Sequence, residues 1–195
     1  MRYDPEHKTR TRARILEAAA ARLRGQGVAA TGVAGVMAEA KLTHGGFYAH
    51  FGSKDELVAA AIGQAFDDRY RPFLAHLDDA DPKAVLGGFI DSYLSDAHAA
   101  SPEQGCPMPP LAGEVARMPG PVRAAMVEGM DRLIEAIAML LDRMGVADAS
   151  LQATSMMSEM AGALMLAGVV LDAARRATIL AASRQALHRR LDRAQ

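Results

Sequence analysis

The segment KLTHGGFYAHFGSKDEL, residues 41–57, places two adjacent glycines where a helix is expected to begin. Inside a solvent-exposed helix each glycine costs about 1 kcal/mol relative to alanine, so Gly45 and Gly46 would weaken such a helix without benefit. A backbone that carries no side chain can instead come very close to another surface. The chain has five Phe and four Tyr, and three of them lie in this segment: Phe47, Tyr48 and Phe51. The segment therefore indicates a helix that something else approaches closely.

The composition of the whole chain favours a helical globular protein. A length of 195 residues suits one large domain or two small ones. Half of the residues are hydrophobic, Ala and Leu abound, and runs of β-branched residues are scarce. A single cysteine, Cys106, cannot form an internal disulfide. The N-terminus is charged, and the longest apolar stretch, residues 160–171, falls short of the ~20 residues that a membrane span needs. We therefore expect a cytoplasmic protein without a membrane segment.

The charges of the chain are segregated although the net charge is only −1. Residues 1–54 carry nine Lys or Arg against four Asp or Glu, and the remainder carries 13 against 19. A basic N-terminal part on an acidic body suggests that only this part meets a polyanion. A solvated first helix is the alternative interpretation of the charge pattern.

Apolar periodicity and capping residues predict about nine helices, and no strand is expected. Thr31 and Thr43 are the expected N-caps of the second and third helices. Ser53 and Glu56 form a capping box at the start of the fourth, and Asp81 with Pro82 precedes the fifth. The predicted helices cover residues 8–27, 32–40, 43–50, 54–77, 83–100, a short stretch after Pro110, 121–144, 149–172 and 174–192.

The second and third predicted helices form a helix-turn-helix over residues 31–50. The second helix of such a unit enters the major groove of DNA with its N-terminal residues nearest the bases. Tyr48 would reach a base edge, a sugar or a phosphate, and His50 and Lys54 would donate to the DNA backbone. A basic arm on the first helix adds affinity for phosphates: Lys8, Arg10, Arg12 and Arg14.

This region resembles the DNA-binding domain of the tetracycline-repressor family of bacterial transcription regulators. The resemblance covers about residues 8–66 and is carried by Thr31-x4-Val36-Met37-x2-Ala40-x-Leu42-Thr43-x2-Gly46-Phe47-Tyr48-x-His50-Phe51-x-Ser53-Lys54-x2-Leu57. It implies an all-α protein with a three-helix DNA-binding domain over residues 1–52 and a larger helical effector-binding and dimerisation domain over residues 53–195. The family usually has Gly in the turn where this chain has Lys41, and a left-handed backbone there costs a non-glycine residue about 1 kcal/mol.

The residues expected to contact DNA are those at the DNA-facing positions of the family, together with residues of the helix-turn-helix and of the basic arm described above. Phe47 and Phe51 match core positions of the family and are expected to anchor the recognition helix. The expected DNA-contacting residues are Thr31, Lys41, Thr43, His44, Gly45, Gly46, Tyr48, His50, Lys54 and Arg10.

The C-terminal part is expected to pair two subunits and to bind a small molecule. The resemblance implies a homodimer through the helices at about 149–172 and 174–192, and small residues in the first of them would allow close approach. Ten methionines between residues 85 and 165 provide adaptable apolar walls, which favours a mainly apolar or aromatic effector, although a methionine stripe is also typical of core. The expected pocket residues are Phe89, Tyr93, Cys106, Met108, Met126, Met130 and Met160.

The function that these observations favour is a dimeric repressor that a small effector releases from a palindromic operator in double-stranded DNA. One alternative is a repressor that senses electrophiles or oxidants, because the segment around Cys106 resembles that of family members with a sensing cysteine. Another is a helical interaction module that does not bind DNA. The sequence lacks the motifs of hydrolases, metalloproteases and phosphate-binding loops, and its six histidines lack ligand spacing. We therefore expect no enzyme, cofactor or metal site.

Overall fold

The computed structural model describes residues 5–79 and 81–193. Within these residues it contains nine α-helices, two short 3-10 segments and no strand, so the predicted all-α class is confirmed. The helices are α1 (Pro5–Ala30), α2 (Val33–Glu39), α3 (Lys54–Leu74), α4 (Pro82–Tyr93), α5 (Asp96–Ala100), α6 (Met108–Val115), α7 (Gly120–Arg143), α8 (Ala149–Gly168) and α9 (Ala173–Arg193), and the 3-10 segments are His44–Ala49 and Pro102–Gln104.

The chain divides into two compact units, with borders inside α3, just before α6 and inside α7. The first unit comprises the chain up to Asp68 together with Cys106–Gly129, and the second comprises Arg69–Gly105 and the chain from Met130 onward. Helix α6 therefore belongs with the N-terminal helices and packs on α1. The predicted division into a DNA-binding domain (residues 1–52) and an effector-binding and dimerisation domain (residues 53–195) is defined by function and not by compactness. It stays a prediction.

The first unit is built around apolar side chains from all its helices. Helix α1 buries Ile15, Ala19 and Leu23, which recur at helical spacing. Phe47 and Phe51 are each 1 % exposed, and their rings stack with centroids 5.8 Å apart. The two aromatic residues therefore hold the short segment His44–Ala49 against the core, as the sequence predicts.

The C-terminal end of α1 is held by polar contacts from distant parts of the chain. Gly27 has φ 81 and ψ 172, a conformation that interrupts the helix. Beyond it, the Ala29 amide donates to Glu114 Oε2 at 2.9 Å, and Lys54 Nζ donates to the Val28 carbonyl at 3.2 Å. Thr31 Oγ1 donates to the Gly27 carbonyl at 2.7 Å. These bonds use carbonyl and amide groups that the broken helix leaves without a helical partner.

The predicted caps at the start of α2, α3 and α4 have different outcomes. Thr31 does not cap α2, because its hydroxyl turns back to α1 and Gly32 occupies the N-cap position. Ser53 Oγ accepts from the Glu56 amide at 3.1 Å, and Glu56 Oε2 accepts from the Gly52 amide at 2.7 Å, so the predicted cap of α3 is confirmed. Asp81 also caps α4 as predicted.

In the second unit, the helix predicted over residues 83–100 is two helices. Ser95 Oγ accepts from the His98 amide at 3.1 Å and starts α5, while α4 ends at Tyr93. A local N-cap therefore overrides an apolar pattern that continues through the break. Helix α9 packs on both α8 and α4, and His188 Nε2 bonds Asp91 Oδ1 at 2.8 Å on the α4 side.

Helix α5 contains a buried histidine, His98, whose environment favours the neutral imidazole. His98 is 7 % exposed, and its Nδ1 lies 2.7 Å from the Tyr93 carbonyl oxygen. Burial lowers the pKa of His98 to about 4, against the opposing effect of the Tyr93 hydrogen bond. Because the unfolded chain binds this proton more readily than the folded one, the contribution to stability is present above pH 6.5 and is lost as the pH falls toward 4.

Replacing His98 should therefore flatten the acid dependence of stability. Between pH 7 and pH 4 the wild-type protein should lose about 3 kcal/mol of unfolding free energy through this group, which follows from 1.36 kcal/mol per pKa unit. We expect H98Q to be less stable at pH 7 but to lose less stability on acidification, as measured by urea denaturation at several pH values. H44Q, at an exposed histidine, is the control, and equal pH slopes in wild type and H98Q would contradict the assignment.

Candidate nucleic-acid interface

A tight turn joins α2 to the 3-10 segment His44–Ala49. The Leu42 amide donates to the Met37 carbonyl at 2.8 Å, and the Lys41 amide donates to the Ala38 carbonyl at 2.9 Å. The guanidinium of Arg14 in α1 donates to the Ala40 carbonyl at the end of α2. The predicted helix-turn-helix is therefore present, although its second helix is a short 3-10 segment preceded by Thr43.

The turn requires a left-handed residue, and Lys41 occupies that position with φ 57. A left-handed conformation costs a non-glycine residue about 1–2 kcal/mol. Glycine would remove this strain. It would also raise the conformational entropy of the unfolded chain, which lowers the stability by about 0.4–1 kcal/mol.

We therefore expect K41G to be more stable than the wild type by about 0.5 kcal/mol in chemical denaturation, as the net of these two effects. The control is K83G in the first turn of α4, where glycine replaces a lysine that has no positive φ and pairs with Asp192 at 3.1 Å, and stability should fall by up to about 1 kcal/mol. A loss of stability in K41G as large as in K83G would contradict the strain at Lys41.

The two glycines of the segment are not required by the packing of the protein itself. A Cβ atom added to Gly45 would meet no atom within 4 Å, and one added to Gly46 would lie 3.8 Å from Met37 and Thr43, an ordinary contact. Neither glycine has a positive φ. Alanine would therefore fit at both positions in the free protein, and the backbone here forms a bare surface, which we call the glycine face (Gly45 and Gly46).

Exposed polar and aromatic side chains surround the glycine face. Tyr48 is 71 % exposed, and the edge of its ring contacts Phe47 with centroids 5.1 Å apart. Thr43, His44 and Lys41 are also exposed. An exposed tyrosine beside a bare backbone offers one flat ring and one hydroxyl to a partner.

Cations from the start of α1 lie near the end of the same segment. The Arg12 guanidinium lies 4.7 Å from the centroid of the Phe51 ring. Burial lowers the pKa of His50, and the positive charges of Lys8, Arg12 and His7 lower it further. His50 Nδ1 is buried and has no hydrogen-bond partner among the described residues. This end of the segment is therefore electropositive, which suits an anion such as a phosphate.

The structure brings most of the predicted DNA-contacting residues onto one region but gives some of them internal partners. Exposed or half-buried positions are found for Lys41, Thr43, His44, Gly45, Gly46, Tyr48, His50 and Lys54. Thr31 is 2 % exposed and bonds Gly27, so its place is internal. The ammonium of Lys54 is held by Val28, and Arg10 pairs with Glu6 at 3.3 Å.

Sequence reasoning missed two residues that position this region. The sequence predicts Arg14 in a phosphate-binding arm, whereas its guanidinium bonds the end of α2. Glu114 was assigned no role, yet it holds the end of α1 from 85 residues away in sequence. A contact between segments so far apart leaves no local pattern in the sequence.

Comparison with known families identifies both parts of the chain. Residues 15–61 match the family described as "Bacterial regulatory proteins, tetR family". Residues 82–191, more than half of the chain, match the "Tetracyclin repressor-like, C-terminal domain". The chain belongs to the TetR family of bacterial regulatory proteins. The resemblance inferred from residues 8–66 is thereby confirmed and extended to the C-terminal helices.

Individual known proteins are similar to this chain over different lengths. The "HTH-type transcriptional repressor SCO4008" of Streptomyces coelicolor is 38% identical over 100 residues, which cover 51% of this chain and 47% of that protein. The match thus spans about half the length of that relative. A TetR regulator of Chloroflexus aurantiacus is 27% identical with a TM-score of 0.79 and coverages of 94% and 95%. The reduced form of Escherichia coli NemR, at 18% identity, has a TM-score of 0.80 with coverages of 92% and 96% and shows the fold alone.

The seven residues predicted to line an effector pocket are mostly core residues. Six of them are buried, and Met130 is half-buried. Phe89 is the one of the seven that lines a groove of about 420 Å³ between the C-terminal part of α3 and α4 in the second unit. Cys106 is 2 % exposed, and its unit also contains Met108 and Met126.

The end of α8 and the residues after it expose apolar side chains. Met165 and Leu166 are 52 % and 61 % exposed, and Val169 and Leu171 are 77 % and 99 % exposed. We call these four residues the α8 patch.

Among the described residues, no helix combines the length and the apolar character that crossing a membrane requires.

Proposed function

We propose that this TetR-family protein is a dimeric repressor that binds a twofold-symmetric operator in double-stranded DNA. The observation that carries the proposal is the glycine face: two helical glycines that the free protein does not need, beside the exposed Tyr48. A surface without side chains is useful where a backbone meets the wall of a groove closely. The name of the Streptomyces relative, a transcriptional repressor, favours repression over activation.

In this proposal each residue of the interface has a role that follows from its exposure and chemistry. Thr43, His44 and Tyr48 lie where base edges and sugars would meet the segment, and Lys41 and His50 lie where phosphates would. Arg10 and Lys8 add long-range attraction from the start of α1. Lys54 would meet a phosphate only by releasing the Val28 carbonyl. Thr31 contributes by holding the end of α1 rather than by touching DNA.

A selection of binding sites from random double-stranded DNA, followed by gel shifts with the selected sequence, tests the proposal. We expect one palindromic sequence to be enriched, because a twofold dimer reads two half-sites about 34–36 Å apart or a multiple of that distance. Recovery of no sequence preference, with no gel shift at low salt, would contradict DNA binding and favour a helical interaction module.

The proposed dimer uses α8 and α9. The α8 patch exposes four apolar side chains at and just after the end of α8, and exposed apolar patches commonly mark interfaces between subunits. A Cβ atom added to Gly162 or Gly168 would meet nothing within 4 Å, so both backbones are open to close approach by a partner. An isologous contact through these helices would give the twofold axis that a palindromic operator requires.

Charges in the α8 patch should separate the subunits. We expect the double substitution V169D/L171D to sediment as a monomer and to bind the operator at least tenfold more weakly, because each subunit then reads its half-site alone. The control is V127D, at a residue of α7 that is 48 % exposed and lies outside the patch. Dimeric V169D/L171D with unchanged affinity would show that the patch is not the interface.

The proposed regulation is release from the operator by a small, mainly apolar or aromatic molecule bound in the second unit. Helix α3 begins at the Ser53–Glu56 cap beside the recognition segment and ends at Leu74, so a shift of this helix can change the separation of two reading segments. Thiol sensing at Cys106 is less favoured, because reactive cysteines are partly exposed and this thiol is buried. We propose no enzymatic activity and a cytoplasmic location, where the operator lies.

A further inference from the structure

We infer that the groove between α3 and α4 binds an aromatic carboxylate. Its volume of about 420 Å³ falls within the range of small-molecule sites, about 300–1,000 Å³. The side chains and backbone that matter for the argument are Arg69, Tyr70, Phe73, Gly88, Phe89 and Ser92. This inference rests on the proposed function in one respect, that the ligand of the groove is the effector.

The wall of the groove is a stack of aromatic rings. Phe73 and Phe89 lie parallel with centroids 4.0 Å apart, and Tyr70 meets Phe89 edge-on at 5.9 Å. Phe73 is half-buried, so part of its side chain remains accessible. Aromatic rings prefer offset-stacked or edge-on neighbours. A flat aromatic ligand would extend the stack that the protein has already begun.

One end of the groove carries a positive charge without a counter-charge. Arg69 is half-buried, and its Nη2 donates to Ser92 Oγ at 3.2 Å. Its guanidinium also lies 5.6 Å from the centroid of the Tyr70 ring. Within the described ranges 5–79 and 81–193, no carboxylate oxygen lies within 4 Å of this guanidinium. Both partners of Arg69 are neutral.

The acidic residues that directly precede Arg69 and its partner Ser92 in sequence, Asp68 and Asp91, are engaged elsewhere. Asp68 accepts from Gln64 Nε2 at 2.6 Å, and Asp91 bonds His188 at 2.8 Å. A partly desolvated guanidinium with only neutral partners favours a ligand that supplies a carboxylate, since such pairs form two parallel hydrogen bonds.

The opposite end of the groove fixes the orientation of the ligand. His76 Nδ1 lies 3.0 Å from Asp79 Oδ2, so a carboxylate already stands at that end. The guanidinium of Arg143 donates to the Leu77 and Asp79 carbonyls at this end but does not line the groove. A ligand carboxylate would therefore meet Asp79 there, and it would be attracted instead to Arg69. The geometry therefore places the ligand carboxylate at Arg69 and Ser92 and the ring along Phe73 and Phe89.

Gly88 provides a way to block the groove without disturbing the fold. It is exposed, it lines the groove, and an added Cβ atom would meet no atom within 4 Å. A leucine here would fill the space in front of the aromatic wall. Gly63 in α3 is equally open to an added Cβ and does not line the groove, so G63L is the matched control.

Calorimetric titration of the full-length protein, without DNA, tests the inference with two probes of the same shape: 2-naphthoate and the neutral 2-naphthalenemethanol. We expect the wild type and G63L to bind naphthoate at least tenfold more tightly than the alcohol. R69M should bind both probes equally, and G88L should bind neither. Circular dichroism and thermal melting establish that each variant is folded.

Several results would overturn the inference. These are no binding of naphthoate to the wild type, equal affinity of the wild type for both probes, or wild-type affinity in folded G88L. Because the titration contains no DNA, its failure leaves the gel-shift test of DNA binding untouched. Failure of DNA binding, conversely, shows in gel shifts of the ligand-free protein and does not depend on the groove.

Discussion

Replacement of Gly45 by alanine is expected to stabilise the free protein and to weaken its binding to operator DNA. Glycine in a helix costs up to about 1 kcal/mol relative to alanine, and the added Cβ would meet no atom of the protein within 4 Å. Against the wall of a DNA groove, however, the same methyl group would overfill a close contact, at a cost of about 1–3 kcal/mol. The dissociation constant should therefore rise roughly tenfold or more, since 1.4 kcal/mol corresponds to a factor of ten.

Thermal denaturation and fluorescence anisotropy with a labelled duplex measure the two halves of this prediction. G113A is the matched control, because Gly113 in α6 is exposed and equally open to an added Cβ but lies outside the recognition segment. It should gain stability without losing affinity. Wild-type affinity in G45A would mean that the glycine face does not meet DNA closely, and the proposed function would lose its main support.

Replacement of Gly129 by alanine is expected to have the largest effect on stability. A Cβ atom added to Gly129 in α7 would lie 2.2 Å from Cδ2 of Phe66 and within 2.5 Å of two further ring atoms. Phe66 is 2 % exposed, so its ring has little space into which it can move. Overfilling a packed core costs about 1–3 kcal/mol and occasionally more. We expect G129A to lose at least about 2 kcal/mol of unfolding free energy, in the upper half of that range.

A double-mutant cycle with F66L identifies the cause of that loss. F66L alone should destabilise the protein by leaving unfilled space, but it removes the ring atoms that the new methyl group would meet. The added cost of G129A in the F66L background should then fall by more than 1 kcal/mol, a coupling typical of residues in contact. G120A, at an open position of the same helix, is the control. Additive effects of F66L and G129A in urea denaturation would contradict the close packing.

The sequence predicts best those parts of the fold that depend on neighbouring residues. The cap of α3 by Ser53 and that of α4 by Asp81 are local, and so is the turn at Lys41. The start of α5 at Ser95 is also local, but the apolar pattern through residues 83–100 hides it. The predicted cap at Thr31 is wrong because its hydroxyl can bond either the helix that follows or the helix that precedes it, and it bonds the latter.

The parts that the sequence does not predict depend on contacts between distant segments. The inclusion of residues 106–129 in the first unit and the contact of Glu114 with Ala29 are examples. The effector pocket is another, because the number of methionines does not distinguish a wall from a core, and Met108 and Met160 are buried. The glycine face, in contrast, was predictable, because two adjacent glycines in a helix are unfavourable unless an outside surface uses them.

Hydrogen exchange of the backbone amides, with and without the selected operator duplex, tests the central claim most directly. The proposal predicts that DNA slows exchange in the segment His44–Ala49 and in the first turn of α1. Exchange in His44–Ala49 that is the same with and without bound DNA, while another surface becomes protected, would show that the glycine face is not the DNA-binding surface.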